Sequence, residues 1–459
     1  MPDEPHGEAG DPFGDMPDDP FADGLPPDLE ALAGAAGAPA NGGGDEGADD
    51  GTDQPGFPGF PGLTGFPGLG GFPGLPGLPD LGDLGNVDLS AMIGMLASPG
   101  PINWEMARQI ARQVAAADGS TRVDPAAASE YAELARAAQA HVAAVAPRAG
   151  ALDTRVRVCT AVEWADTHLD SLRTVLEALA TTLGAEFRTA GTDAPSDDPF
   201  AAILPMLAPM LLGLQAGSLV GHLAQHALGR YDLPLPTTDA PSLVFVAAHV
   251  DAFAEAWSLP RADLRFALAA REVVHASVRS EPWVRERLVA LTTEYVQAYD
   301  LDLGTLEDRF GALDPADPAS LEAVVADPAE LLGAIRSPAQ DAIQARLRVL
   351  ATVLEGYADT VLETVVGPLL PTYDRIHEAV ARHRIERGEA GRFAEALLGL
   401  DLARDDVERG VAFCRGVVER AGTDGLDRLW NGPDHLPTVN ELEAPGLWLA
   451  RIDLDEEHP

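Results

Sequence analysis

One stretch of this chain, Asp263-Leu264-Arg265-Phe266-Ala267-Leu268-Ala269-Ala270-Arg271-Glu272-Val273-Val274-His275, carries most of what can be argued about its architecture and its chemistry. Apolar residues recur in it at helical spacing, which predicts a helix over 261–278. Glu272 and His275 have the spacing of the last four residues of H-E-x-x-H. In that pattern two histidines one turn apart share a metal, and the glutamate activates the water bound to it. Here the first histidine position is held by Arg271. Arginine has no lone pair to offer, stays protonated at neutral pH and repels a metal cation. A Glu-x-x-His pair on a helix also has a plain reading as two neighbours on an exposed face.

Outward from this helix the chain reads as helical almost throughout. Apolar spacing predicts helices at 90–96, 104–117, 126–145, 160–183, 250–257, 283–299, 328–366, 371–387 and 405–421. Asn103 is positioned to cap the second of these. The run Leu243-Val244-Phe245-Val246, within 242–247, is too short for a helix and reads as a strand. Residues 200–221 carry no charge but include Pro205, Pro209, Gln215 and Ser218, with no basic flank, so a buried core helix is expected rather than a membrane span. Gly213, Gly217 and Gly221 would let another helix approach it closely. An acidic loop at 313–326 reads as an insertion within one domain.

The 459 residues carry 73 Asp plus Glu against 31 basic residues, all arginine, for a net charge of −42. No Lys/Arg excess is available to neutralise phosphate, so neither nucleic acid nor an anionic membrane is an expected partner. The first 100 residues hold 18 of the acids and no Lys or Arg, with glycine at every third position from Gly56 to Gly77. Residues 1–87 therefore read as a disordered acidic Gly/Pro-rich arm, and the collagen-like period as a low-complexity linker. The domain is expected over 88–459. The Met1-Pro2-Asp3-Glu4 start offers no secretory signal, and Cys159 and Cys414 read as buried spectators, so a cytoplasmic location is expected.

Several short motifs occur together in order. They include Pro101-Ile102-Asn103-Trp104, Leu228-Gly229-Arg230-Tyr231-Asp232-Leu233-Pro234-Leu235-Pro236 and Pro282-Trp283-Val284-Arg285. Further along come Leu354-Glu355-Gly356-Tyr357, Leu397 to Leu402, and Leu429-Trp430 through Trp448. Over about residues 88–453 the chain resembles the actinobacterial zincin-like family of zinc-dependent metalloproteases and hydrolases, one branch of which is associated with coenzyme F420 biosynthesis. The resemblance implies a mainly α zincin-like domain with one or a few short strands, and a zinc held on an H-E-x-x-H helix. Carried onto this chain, it makes Glu272 the general base and His275 a metal ligand, with Glu294 or Glu355 as the third ligand.

Arg271 departs from that pattern at the first ligand position. His222 and His226, four residues apart on one helix, have a chelating spacing but also read as ordinary core or surface histidines, as does His249. The account preferred from the residues is that Arg271 supplies the positive charge as well as replacing the ligand, pairing with Glu272 and a further carboxylate. Two function classes follow: a zinc metallopeptidase or hydrolase with a degenerate site, and a non-catalytic scaffold that binds a peptide or protein partner in the old cleft.

Overall fold

The computed structural model describes residues 100–457, apart from 120–121, 154, 194–198, 300–336 and 386–388. The arm, the helix expected at 90–96, the acidic loop at 313–326 and the start of the helix expected from 328 lie outside the described residues. The fold is mainly α. In chain order come α1 (Trp104–Ala115), α2 (Pro125–Ala143), β1 (Val156–Val158), α3 (Ala161–Ser171), α4 (Arg173–Asp193) and α5 (Pro199–His226). After these come β2 (Leu243–Phe245), α6 (Ala247–Ala256), α7 (Arg261–Arg279) and α8 (Pro282–Gln297). The C-terminal part holds α9 (Pro338–Val365), α10 (Tyr373–Ile385), α11 (Glu389–Leu398), α12 (Arg404–Asp427), α13 (Val439–Leu442) and α14 (Pro445–Glu457).

Local chemistry sets the helix starts. Asn103 accepts a hydrogen bond from Met106 N at α1, and Thr160 with Glu163 forms a capping box at α3. Leu172 separates α3 from α4, dividing what apolar spacing alone reads as one helix over 160–183. The glycine stripe of α5 lies against α1: a β-carbon at Gly213 would meet Asn103 O at 2.5 Å, and one at Gly221 would meet Val114 Cβ at 2.6 Å. The stripe thus serves a protein–protein helix crossing, and among the described residues no helix is long and apolar enough to cross a membrane.

β2 lies in the predicted run and pairs in parallel with β1, Val156 opposite Leu243 and Val158 opposite Phe245. The alternation in Val156-Arg157-Val158 is the signal for β1, obscured by its length of three residues. β2 is buried along its whole length. It packs on α7, which also touches α2, α6, α9 and α10. Every residue of α7 from Ala267 to Arg279 is buried. A helix enclosed on all sides must satisfy any charge it carries from within the protein, so the surroundings of Arg271, Glu272, His275 and Arg279 are constrained by their burial alone.

Candidate functional site

Arg271, His275 and Arg279 are spaced four apart on α7 and share one face; Glu272 is about 100° further round the helix. The shared face meets α9, where Glu355 and Asp359 are also four apart. The Arg271 guanidinium donates to Glu355 Oε2 at 2.5 Å and to Asp359 Oδ1 at 3.3 Å. From α10, Arg384 donates to the same Glu355 oxygen at 2.5 Å and to Asp359 Oδ2 at 3.3 Å. Two cations and two carboxylates thus form a closed quartet tying three helices together. Arg271, Glu355 and Asp359 are each no more than 5% exposed.

The charge states follow from these contacts. Burial works to raise the Glu355 pKa, but Arg271, followed by Arg384, outweighs it, and the carboxylate is held well below its usual range. Burial works to lower the Arg271 pKa, and Glu355 and Asp359 more than reverse that. His275 is driven the other way: burial first, then the Arg271 charge, push its pKa well below the usual value against the pull of Glu355. The imidazole is therefore neutral. Its Nδ1 lies 2.9 Å from Arg279 Nη1, and because a guanidinium only donates, Nδ1 accepts and the ring proton is on Nε2. Nε2 faces Glu355 Oε2 at 3.9 Å. Burial, with Arg271 adding to it, lowers the Arg279 pKa.

Glu272 does not join the quartet. Its Oε1 accepts from Tyr231 N at 2.9 Å, and a β-carbon on Gly229 would stand 2.6 Å from that oxygen. Gly229 is what lets the 228–236 segment come this close. Asp232 Oδ2 accepts from Leu228 N at 2.5 Å and Gly229 N at 2.8 Å, completing the turn that Glu272 holds against β2. Burial, followed by the nearby Asp232 charge, pushes the Glu272 pKa up to about 8, with the backbone amides of Tyr231, Arg230 and Val244 pulling the other way. The pairing of Arg271 with Glu272 expected from the sequence is thus replaced by pairing with Glu355 and Asp359, because adjacent residues on a helix point to different faces.

Of the two carboxylates considered as third ligand, the fold brings Glu355 to His275. Glu294 is on α8, with a side chain 45% exposed, and pairs with Arg346 at 2.7 Å. His222 and His226 are on α5 at a different place: His226 Nδ1 reaches back to His222 O at 3.3 Å, and the two border a small cavity of about 40 Å³ with His383. His249 Nδ1 is 2.8 Å from Ala227 O. Asp359, Arg384 and Arg279 were not singled out from the sequence. The i, i+4 relations of Asp359 to Glu355 and of Arg279 to His275 were available there, whereas Arg384 comes from a distant helix and left no local signal.

The residues at this spot do not match a zinc site. Arg271 has no lone pair, His275 uses its one lone pair on Arg279, and Glu355 Oε2 already receives two guanidiniums. Among the described residues, no group of three His, Cys, Asp or Glu side chains is arranged to hold a metal ion.

The described residues form a mainly helical domain with one short two-stranded sheet. The family model for zincin-like metallopeptidases matches residues 102–449, and the chain belongs to that family. The crystal structure of a protein from Chloroflexus aurantiacus, provisionally described as a hydrolase with a novel fold, is similar to it at 26% identity and a TM-score of 0.51. The likeness covers 77% of this chain and 99% of that one. No curated protein matches the sequence.

Proposed function

We propose that this chain is a zincin-like family member that works without zinc and without peptidase chemistry, as a scaffold binding a peptide or protein in the cleft beside α7 and α9. The observation that carries this reading is the Arg271 guanidinium, which bridges Glu355 and Asp359 from the helix position where H-E-x-x-H has its first histidine. A guanidinium there supplies positive charge to the acids, so the fold pairs them without a metal. Glu272, the general base that the family resemblance implies, is engaged with the Tyr231 amide and turned from the quartet, which supports the same reading. The family resemblance favours the opposite one, a zinc hydrolase, and the donor chemistry outweighs it because fold alone does not carry activity.

Zinc content of the purified chain, measured by elemental analysis, tests the proposal. The expected value is far below one equivalent, and casein is not cleaved. One tightly bound equivalent of zinc would overturn it. An Arg271→His variant supplies the missing imidazole, and zinc uptake by that variant alone is the expected companion result.

A further inference from the structure

The paired histidines of α5 take no part in the α7 site. His222 and His226 are four residues apart, so their side chains are neighbours on one face of the helix. Both border the cavity of about 40 Å³ next to His383, a volume with room for an ion and a water. His226 is exposed, which opens the pair to solvent.

The hydrogen bonds around the two rings fix which nitrogen of each carries the proton. Gln225 Nε2 donates to Val114 O at 2.8 Å, so the amide's Oε1 is turned the other way and can only accept. That oxygen lies 3.4 Å from His222 Nδ1, which is therefore the donor. His226 Nδ1 lies 3.3 Å from His222 O, and since a carbonyl only accepts, Nδ1 is the donor again. In both neutral rings the lone pair is thus left on Nε2, the nitrogen further from the helix backbone. His222 Nε2 is buried and has no hydrogen-bond partner. An imidazole that spends Nδ1–H on an oxygen and keeps Nε2 unprotonated is arranged as metal-binding histidines are, because the outer hydrogen bond fixes the tautomer and raises the basicity of the other nitrogen. From α10, His383 Nε2 donates to His226 O at 3.0 Å and holds the same turn in place.

The number of imidazoles selects the metal. Zinc sites take at least three protein ligands, and among the described residues no group of three is arranged to hold an ion. Asp232 also borders the cavity, but its Oδ2 already accepts from the Leu228 and Gly229 amides. Two nitrogens with water completing the shell suit copper(II), which heads the affinity order for nitrogen sites and accepts a tetragonal N,O geometry. Zinc stands below it in that order, so the pair is no source of the tight zinc equivalent that the metal-free reading of α7 excludes.

From this we propose that His222 and His226 form a two-imidazole chelate for copper(II), bound through both Nε2 lone pairs. The site is on α5 and does not rest on the scaffold reading.

Calorimetric titration of copper(II) chloride into the full chain, freed of metal and held in a buffer that does not coordinate copper, tests this. The wild type is expected to take up one equivalent more than His222→Gln/His226→Gln. The electron paramagnetic resonance spectrum of that equivalent is expected to show splitting from two nitrogens. His226→Gln, changed at an exposed side chain, is expected to bind it at least about tenfold more weakly, a difference of about 1.4 kcal/mol. This single variant carries the test if the double variant does not fold. Nickel(II) and zinc(II) are expected to bind the pair more weakly than copper(II). Equal copper uptake by the wild type and His226→Gln, or a spectrum without splitting from two nitrogens, overturns the proposal.

Discussion

Arg271 and Glu272 are neighbours in sequence with opposite electrostatic fates, and each leads to a measurement. Removing the Arg271 cation leaves Glu355 and Asp359 one turn apart in the interior with Arg384 still bonded to both. Breaking a buried pair in this way costs about 3–5 kcal/mol. Urea unfolding of Arg271→Met at pH 7 should show a loss of that size, and Arg271→Met/Glu355→Gln should recover part of it. A loss under about 1 kcal/mol would mean that the quartet is not the closed network described. Glu272 has the opposite sign of pH dependence. Its folded pKa of about 8 lies above the usual 4.5, so the folded state keeps the proton longer. The stability it contributes is present below the unfolded pKa and is lost as pH rises towards 8, at about 1.4 kcal/mol per pH unit. Glu272→Gln keeps an oxygen for the Tyr231 amide and has no charge to develop. Thermal melts should therefore show the wild type losing more stability than Glu272→Gln between pH 5 and pH 8.5, and parallel curves would refute the assignment.

At the scale of elements, what places the site is the crossing of α9 with α12. A β-carbon on Gly356 would collide with the backbone of Gly410, and one on Gly410 with the carbonyl of Thr352, so the two helices meet with no side chain between them. Gly356 follows Glu355 directly, and the tight crossing sets where the quartet's carboxylates stand. Gly356→Ala is expected to push α12 away at a cost of about 1–3 kcal/mol or more, read by denaturant unfolding. A neutral result would mean that the crossing is loose. The helices themselves were largely legible in the sequence, since period, capping residues and prolines are local signals: α1, α2, α6, α7 and α8 fall within a few residues of their expected ranges. Helix α11 and the C-terminal α13 and α14 were not read. α12 also runs on past the expected end at 421, through Gly422 at φ 71°, which interrupts the helical backbone without ending the element.

Across the whole molecule, the net charge of −42 is the dominant long-range feature. Self-repulsion of exposed carboxylates is screened by salt, whereas the quartet is buried and screened much less. The melting temperature should therefore rise between low salt and about 0.3 M NaCl, and the energy lost in Arg271→Met should change little over that range. A falling melting temperature would show surface ion pairs outweighing net repulsion. The family, the mainly helical architecture and the strand β2 were legible in the sequence alone, because each depends on local periodicity or on short motifs in order, and the sequence also fixes that an arginine, Arg271, stands one turn before His275. The partners of that residue were decided only by the tertiary structure. Glu355 and Asp359 lie more than 80 positions away and Arg384 more than 100, and nothing in a local pattern specifies which of 73 acids will meet a given arginine. The packing of α7 against α9 and α10 makes that choice. It also turns Glu272 to the opposite side, since a helix rotates neighbouring side chains by about 100° whatever role a motif gives them.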